Sequence, residues 1–298
     1  MNVMAVLKAM RPKQWIKNFM VFPALVFAGH LTDLTDVIAV CGGFVVFCLL
    51  SGAVYLFNDI KDYEKDRLHP NKKFRPIASG ELSIPDARRA MGFVAIAALV
   101  GSLALNIVTT KVGFDFFLIA VLYLALQIAY TLKLKHVVIL DVGCIAAGFV
   151  LRVLAGTAII NVPIGMWIIV CTTLLALFLG FGKRRHELVL LSGEAGEHRR
   201  ILEEYSPYYL DQMIAVVTAS TVVAYSLYTM DAATIEKLGT TRLPLTIPFV
   251  IYGIFRYLYL VHQREEGGSP SKVLVSDKPL LINILLWFVA VVVLLYTT

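Results

Sequence analysis

The amino-acid sequence predicts an all-α protein that crosses a membrane with nine transmembrane helices, and two observations support this prediction. Apolar residues make up 58% of the 298 positions and charged residues only 16%, whereas soluble domains contain roughly 45–50% and about 25%. The apolar residues lie in nine runs, most of them as long as a membrane-spanning helix requires. Within each run they do not alternate with polar residues, which argues against the strands of a membrane barrel.

The nine predicted helices follow one another along the whole chain. The first is short and depends on Trp15 and His30 as its interfacial ends. We predict one membrane domain over residues 1–298, with two long loops, 59–85 and 183–209, forming a cap over the active site. The runs lie at about 16–31, 36–58, 86–107, 112–131, 138–160, 163–182, 210–229, 243–262 and 279–297.

Lysine and arginine are distributed unevenly between the two sets of loops. The chain has 27 such residues, and nearly all lie on the side of the N-terminus and the long loops. The exceptions are Lys111, Lys237 and Arg242 in the opposite loops, and Arg152 and Arg256 inside predicted spans. The positive-inside rule therefore places the N-terminus and the long loops in the cytoplasm and the C-terminus outside. Because the cations lie in loops between apolar runs, nucleic-acid binding is disfavoured, and phosphates and anionic membrane lipid are the expected partners.

Three oxygen-bearing side chains lie at helical spacing at the end of the second predicted helix and just beyond it. Asn58, Asp62 and Asp66 recur every four residues, so they share one face if the helix continues. Oxygen ligands in incomplete number suit Mg²⁺, which takes further ligands from phosphate oxygens. A solvated loop neutralised by its own lysines is the alternative, and the spacing alone does not separate the two. Lys73 and Arg75 come soon afterwards and favour a site for Mg²⁺ and a diphosphate.

Several motifs carry a resemblance to a known family. The segment Asn58–Asp66 reads Asn-Asp-x-x-Asp-x-x-x-Asp, and Arg75–Gly80 reads Arg-Pro-Ile-Ala-Ser-Gly. These motifs resemble the UbiA superfamily of intramembrane prenyltransferases, which implies a UbiA-like helical bundle. Segments Arg11–Trp15, Tyr130–Lys135 and Leu140–Val142 resemble its branch of decaprenyl-phosphate phosphoribosyltransferases.

That branch implies a specific reaction. Its members transfer 5-phosphoribosyl from phosphoribosyl pyrophosphate to a polyprenyl phosphate with Mg²⁺, release pyrophosphate, and contribute to lipid-linked arabinose for cell-wall polysaccharide. The lipid phosphate is ionised at neutral pH, so the reaction needs no general base. A homo-oligomer is also compatible with the sequence.

Two departures from the superfamily pattern bear on the substrates. Typical members place a second Asp-rich motif after the sixth helix, but here Gly182–Glu187 reads Gly-Lys-Arg-Arg-His-Glu. Typical members also carry a lysine where this chain has Leu134, although Lys133 and Lys135 lie on either side. More cations and fewer carboxylates suit two polyanionic substrates.

Spacing and resemblance together give the candidate site residues. Asp141 and Arg152 lie on one face of the fifth predicted helix, and charges within a span normally face an interior cavity. The metal ligands are expected to be Asn58, Asp62 and Asp66, and the catalytic residues Asp59, Asp62 and Asp66. The residues expected to bind substrate phosphates are Lys17, Lys73, Arg75, Tyr130, Lys133, Lys135, Asp141, Arg152, Lys183, Arg184 and Arg185.

Two other functions remain open at this point. A prenyltransferase that takes a prenyl diphosphate as donor and an aromatic or glycerol-phosphate acceptor would have the same fold. A transporter is a remote alternative, because only Arg152 and Arg256 lie well inside predicted spans, whereas transporters concentrate ionisable groups at the membrane midplane.

Overall fold

All regular elements in the described part of the chain are helices. The computed structural model describes residues 2–109, 111–190, 200–264, 268 and 270–297 and contains no strand in these ranges. The α-helices are α1 (Val3–Ala9), α2 (Pro23–Phe27), α3 (Leu34–Lys61), α4 (Tyr63–Leu68), α5 (Ile84–Val108), α6 (Phe114–Leu132), α7 (Leu140–Ile160), α8 (Met166–Leu190), α9 (Pro207–Met230), α10 (Ala232–Leu238), α11 (Ile247–Gln263), α12 (Pro270–Ser276) and α13 (Lys278–Tyr296). The 3₁₀ helices are Pro12–Val21, Lys72–Phe74, Leu134–His136, Arg200–Glu204 and Leu243–Thr246.

Eight of the described helical segments are long and apolar enough to cross a membrane. They are α3, α5, α6, α7, α8, α9, α11 with the 3₁₀ turn before it, and α13. Each begins within three residues of a predicted start. Hydropathy along the sequence locates these helices because a helix that spans a membrane must be apolar. The predicted all-α, polytopic fold is confirmed, and the protein is an integral membrane protein.

The first predicted span, residues 16–31, is not among these eight, so the count of nine is not confirmed. The segment forms the 3₁₀ helix Pro12–Val21 and then the short helix α2. Pro23 at the start of α2 has no N–H to continue the helical ladder, and Gly29 adopts a left-handed φ of 77°. Proline and glycine thus divide a run whose composition alone predicts one continuous helix.

This broken segment nevertheless joins the two ends of α3. Arg11, just before it, forms an ion pair with Asp59 in the last turn of α3. Asp33, just after it, caps the first turn of α3 by accepting hydrogen bonds from the N–H groups of Thr35 and Asp36. The chain therefore runs the length of α3 between residues 12 and 32 without forming a regular helix of that length.

Helix starts are fixed by local side-chain caps. Six residues before helices accept a hydrogen bond from a backbone N–H group in the first turn, at 2.9–3.2 Å. Such caps satisfy donors that a helix leaves unpaired at its start. The six are Asn2, Asp33, Ser83, Ser206, Asp231 and Asp277, before α1, α3, α5, α9, α10 and α13.

The chain divides into two compact units. The first comprises Met1–Leu25, Leu31–Leu134 and Leu151–Pro163, and α3 packs extensively against α5 within it. The second comprises Val26–His30, Lys135–Val150 and Ile164–Thr298, and there α8 packs against α9. The cap over the active site stays a prediction, and part of it, residues 191–199, lies outside the described residues.

Close packing at one glycine gives a test of the first unit. A Cβ added at Gly156 would lie 2.1 Å from the Val21 carbonyl oxygen, a backbone atom that cannot rotate away. We expect Gly156→Ala to destabilise the protein by about 1–3 kcal/mol, as overpacking does, and to lower the thermal unfolding temperature in detergent. Gly143→Ala on the same helix is the control, because nothing lies within 4 Å of its added Cβ. Equal unfolding temperatures for the two variants would contradict this packing.

Candidate active site

The acidic stripe lies where α3 ends and α4 begins. It consists of Asn58, Asp62 and Asp66 together with the adjacent Asp59. Asp62 is the junction between the two helices, with φ −95° and ψ 9°. Its backbone N–H donates to the Asn58 carbonyl (2.9 Å), and the Asp66 N–H donates to the Asp62 carbonyl (2.8 Å). The i, i+4 bonding therefore continues across the junction, so the backbone keeps Asn58, Asp62 and Asp66 in helical register.

Two arginines neutralise the acids of this stripe. Arg75 donates to Asp66 Oδ2 (2.5 Å) and to Asp59 Oδ1 (3.1 Å). Arg11 forms a second ion pair with Asp59 Oδ1 and also lies over the Tyr55 ring, 4.7 Å from its centroid. Asp59 and Asp66 are only 2% and 3% exposed. Buried carboxylates require such partners, because charge transferred out of water without compensation is very costly.

Arg11 belongs to the candidate site through its ion pair with Asp59, and the sequence analysis did not select it. It lies 48 residues from Asp59 in the chain, and no spacing rule connects positions so far apart. Arg11 also adopts a left-handed backbone, with φ 54°, directly before Pro12. A non-glycine residue in that region is uncommon and is a reason to look for function. Its place in the Arg11–Trp15 motif was the only available signal.

Two buried oxygens in the stripe are available to a ligand. Asn58 Oδ1 and Asp59 Oδ2 are inaccessible to solvent and have no hydrogen-bond partner among the described residues. A buried polar atom without a partner is rare and calls for an explanation such as a bound ion. Carboxylate and amide oxygens are the donors that hard divalent cations prefer. The residues present therefore fit a divalent cation.

The acids do not form a preassembled carboxylate cage. Within the described residues, Asp59, Asp62 and Asp66 do not bring three carboxylate oxygens within 4.8 Å of one another. A cation bound here would take its remaining ligands from water or from a phosphate, as Mg²⁺ commonly does.

A second polar cluster of the first unit surrounds Arg152 of α7. Arg152 is 6% exposed, and its Nε donates to Asn18 Oδ1 (2.8 Å). Its Nη2 donates to the Tyr123 hydroxyl (2.8 Å), and its guanidinium lies over the Tyr123 ring, 4.8 Å from the centroid. Asn18 Nδ2 donates in turn to the Ser51 hydroxyl (3.2 Å). The cluster keeps a cation inside the bundle through neutral oxygens and an aromatic face.

In the second unit, the predicted phosphate ligands Asp141 and Arg184 contact each other. Both are fully buried, and Arg184 Nε donates to Asp141 Oδ2 at 2.6 Å. The Tyr205 hydroxyl donates to Asp141 Oδ1 (2.7 Å) and accepts from the Ile139 N–H (2.8 Å). Burial raises the pKa of Tyr205 above its ordinary value, so the hydroxyl keeps the proton that it donates.

The remaining predicted ligands are at least partly exposed and lie in both units. In the first unit, Lys73 and Lys133 are exposed, and Lys73 lies over the Phe74 ring at 5.3 Å. In the second, Lys183 lies 3.6 Å from Glu187, and Arg185 Nε donates to Asp211 Oδ1 at 2.5 Å. The partly exposed ones are Lys17, Arg75 and Tyr130 in the first unit and Lys135, Lys183 and Arg185 in the second.

The helical fold and the acidic motif define a membrane-embedded transferase. The chain belongs to the UbiA prenyltransferase family, whose model matches residues 18–285. Two structures of a UbiA homolog from Archaeoglobus fulgidus share this fold. The one bound to DMAPP and Mg²⁺ gives a TM-score of 0.72 at 21% identity, over 96% of this chain and 98% of that one. The one bound to GPP and Mg²⁺ gives a TM-score of 0.71 at 20% identity, over 99% of this chain and 100% of that one.

Two similar curated proteins are named for one reaction. The decaprenyl-phosphate phosphoribosyltransferase of Corynebacterium glutamicum is 34% identical, over 97% of this chain and 86% of that protein. The protein of the same name from Mycolicibacterium smegmatis is 33% identical, over 96% of this chain and 90% of that protein. The resemblance to UbiA proteins and to this branch, predicted from the motifs, is confirmed.

The ion pair of Arg11 with Asp59 can be tested by substitution. Removing one partner of a buried pair typically costs about 3–5 kcal/mol, but Arg75 remains on the same oxygen. We therefore expect Arg11→Met to cost about 1–3 kcal/mol and to lower the unfolding temperature in detergent. Lys8→Met is the control, because the pair of Lys8 with Glu81 is largely exposed and such pairs contribute about 0–1 kcal/mol. The loss should shrink in an Asp59→Asn background; an undiminished loss would rule out the pairing.

Proposed function

We propose that this protein transfers the 5-phosphoribosyl group of phosphoribosyl pyrophosphate to a polyprenyl phosphate, with Mg²⁺, and releases pyrophosphate. The names of the similar proteins support this choice of donor and acceptor. The product would be a phosphoribosylated lipid, which suits a precursor of the lipid-linked arabinose used for cell-wall polysaccharide.

The arrangement of charges around Asp59 is the observation that carries this proposal. Buried oxygens that can hold a cation lie beside the guanidinium groups of Arg11 and Arg75, which can hold phosphates. A diphosphate donor needs both kinds of group at one place. Lys183 and Arg185 are the partly exposed members of the segment that stands in place of a second acidic motif, and they agree with two polyanionic substrates.

The residues of the stripe suit Mg²⁺. Asn58, Asp62 and Asp66 would hold it, and Asp59 lies next to them, with one oxygen that makes no hydrogen bond within the described part of the chain. When bound, Mg²⁺ would neutralise negative charge that grows on the leaving diphosphate.

The chain's own residues bind and orient the reactants. The bond from C1 of the ribose to the diphosphate breaks, and a bond from C1 to an oxygen of the lipid phosphate forms. Arg75 and Lys73 would bind donor phosphates, and Lys133 and Lys135 the second anion.

The orientation of the protein belongs to the same proposal. The charge distribution puts the N-terminus and loops 59–85 and 183–209 in the cytoplasm, where a water-soluble phosphorylated donor is available. These loops would cap the site, and the C-terminus would lie outside. A homo-oligomer is compatible with this proposal.

The lipid product decides between the proposed reaction and a prenyl transfer. We expect purified protein with labelled phosphoribosyl pyrophosphate, Mg²⁺ and a polyprenyl phosphate to move label into the organic phase. Mass spectrometry should find a lipid that keeps its phosphate and gains ribose 5-phosphate. Replacing both Lys133 and Lys135 by Met should reduce this transfer, because two phosphate ligands are lost. Consumption of a prenyl diphosphate, with a prenylated aromatic or glycerol product, would reject the proposal.

The metal site is tested by Asp62→Asn, which removes charge and keeps shape. We expect at least about a 100-fold loss of turnover, weaker binding of Mn²⁺ measured by electron paramagnetic resonance, and an unchanged unfolding temperature. Glu64→Gln is the control, because this exposed acid lies on the neighbouring turn and should leave turnover unchanged. Near-normal activity of Asp62→Asn in EDTA would contradict the assignment.

Single cysteines test the orientation. In a background without the four native cysteines, a cysteine at Asn71 should resist an impermeant thiol reagent in intact cells, whereas one at Lys237 should react. Both positions are exposed, so access depends on the side of the membrane. Disruption of the cells should make the first position reactive. The reverse pattern in intact cells would overturn the topology and the argument for a cytoplasmic donor. A further position in the second long loop, Ser192, lies outside the described residues.

A further inference from the structure

A buried network in the second unit joins two segments that carry candidate phosphate ligands. Asp141, in the first turn of α7, accepts from Arg184 of α8 (2.6 Å) and from the Tyr205 hydroxyl (2.7 Å). The same hydroxyl accepts from the backbone N–H of Ile139 (2.8 Å). One carboxylate thus connects the turn 135–139 to α8 and to the chain just before α9.

The turn that this network holds has an unfavourable backbone. Ile139 has a φ of 69°, and a β-branched residue in the left-handed region is a genuine outlier. Such a conformation persists only where the surroundings determine it. The hydrogen bond to Tyr205 and the bond from the Gly143 N–H to the Ile139 carbonyl (2.8 Å) supply that constraint.

The burial of the network argues against direct contact with substrate. Asp141 and Arg184 are fully buried, and Arg184 also donates to Glu187 Oε2 at 2.5 Å. Its neighbours Lys183 and Arg185 point elsewhere, since successive residues on a helix are about 100° apart, and both are partly exposed. Arg184 therefore differs from the two cations beside it.

We propose that Asp141, Arg184 and Tyr205 are positioning residues, which fix the turn so that the Lys135 ammonium group is presented to an anionic substrate. The inference rests on the proposed function only in assigning a phosphate to Lys135. The network holds the backbone of the turn that carries Lys135 in a single conformation.

The order of the turn can be measured without catalysis. A nitroxide label is attached at Lys135→Cys in a background lacking the four native cysteines, and its mobility is read by electron paramagnetic resonance. Tyr205→Phe removes the hydroxyl and should make the label clearly more mobile. Tyr209→Phe is the matched control, because its ring stacks on Tyr205 with centroids 6.0 Å apart. Asp141→Asn is a second variant, should Tyr205→Phe fold poorly. Equal mobility in wild type, Tyr205→Phe and Asp141→Asn would overturn the proposal.

The link to substrate is measured through the binding of a short-chain polyprenyl phosphate, the anion that the proposed function assigns to Lys133 and Lys135. Tyr205→Phe should weaken this binding about 5- to 10-fold, which corresponds to the loss of one well-placed cation. In a Lys135→Met background the same substitution should have little further effect, because the group that it positions is gone. Equal losses in both backgrounds would indicate a merely structural role and overturn the proposal.

The two proposals fail in different ways. Unchanged binding of the polyprenyl phosphate by Lys135→Met would overturn the positioning inference, because Lys135 would then bind no anion. Intact coupling between Tyr205 and Lys135, in a protein that transfers no phosphoribosyl group, would support the inference and reject only the proposed reaction.

Discussion

Pairing of buried charge is the constraint on which the rest of this structure depends. A membrane-embedded bundle can keep ionised side chains only where each finds an opposite charge or several hydrogen bonds. Asp59 meets this condition through two arginines, Arg152 through an amide and a phenol, and Asp141 through Arg184 and a tyrosine. The broken segment before α3 and the irregular turn before α7 both lie beside such a cluster.

The fold was predictable because hydropathy is a local property. Eight spans begin within three residues of their predicted starts, and the register of Asn58, Asp62 and Asp66 follows from helical spacing across the junction at Asp62. The first span was predicted as a helix because its composition is apolar. Its backbone instead follows Pro12, Pro23 and Gly29, whose effect on φ and on hydrogen bonding outweighs hydropathy.

The partners within the site could not be predicted from spacing. Arg11 and Asp59 are 48 residues apart, and Asp141 and Arg184 are 43 apart, so only the tertiary fold brings them together. Sequence patterns therefore identified which charges are unusual but not which of them neutralise one another. In the sequence, Lys183, Arg184 and Arg185 look like three equivalent cations. In the fold, Arg184 is buried and forms an ion pair with Asp141.

The two ionic clusters differ in the order in which a ribosome supplies their parts. Among the described residues, the ion-pair partners of Asp59 are Arg11 and Arg75, so this cluster is complete before α5 has been made. Asp141 is synthesised 43 residues before Arg184, an interval of about 2–9 s at 5–20 residues per second. During that time the Asp141 carboxylate of α7 cannot pair with Arg184, because Arg184 has not yet been synthesised. The second unit must therefore hold this acid near water until α8 emerges.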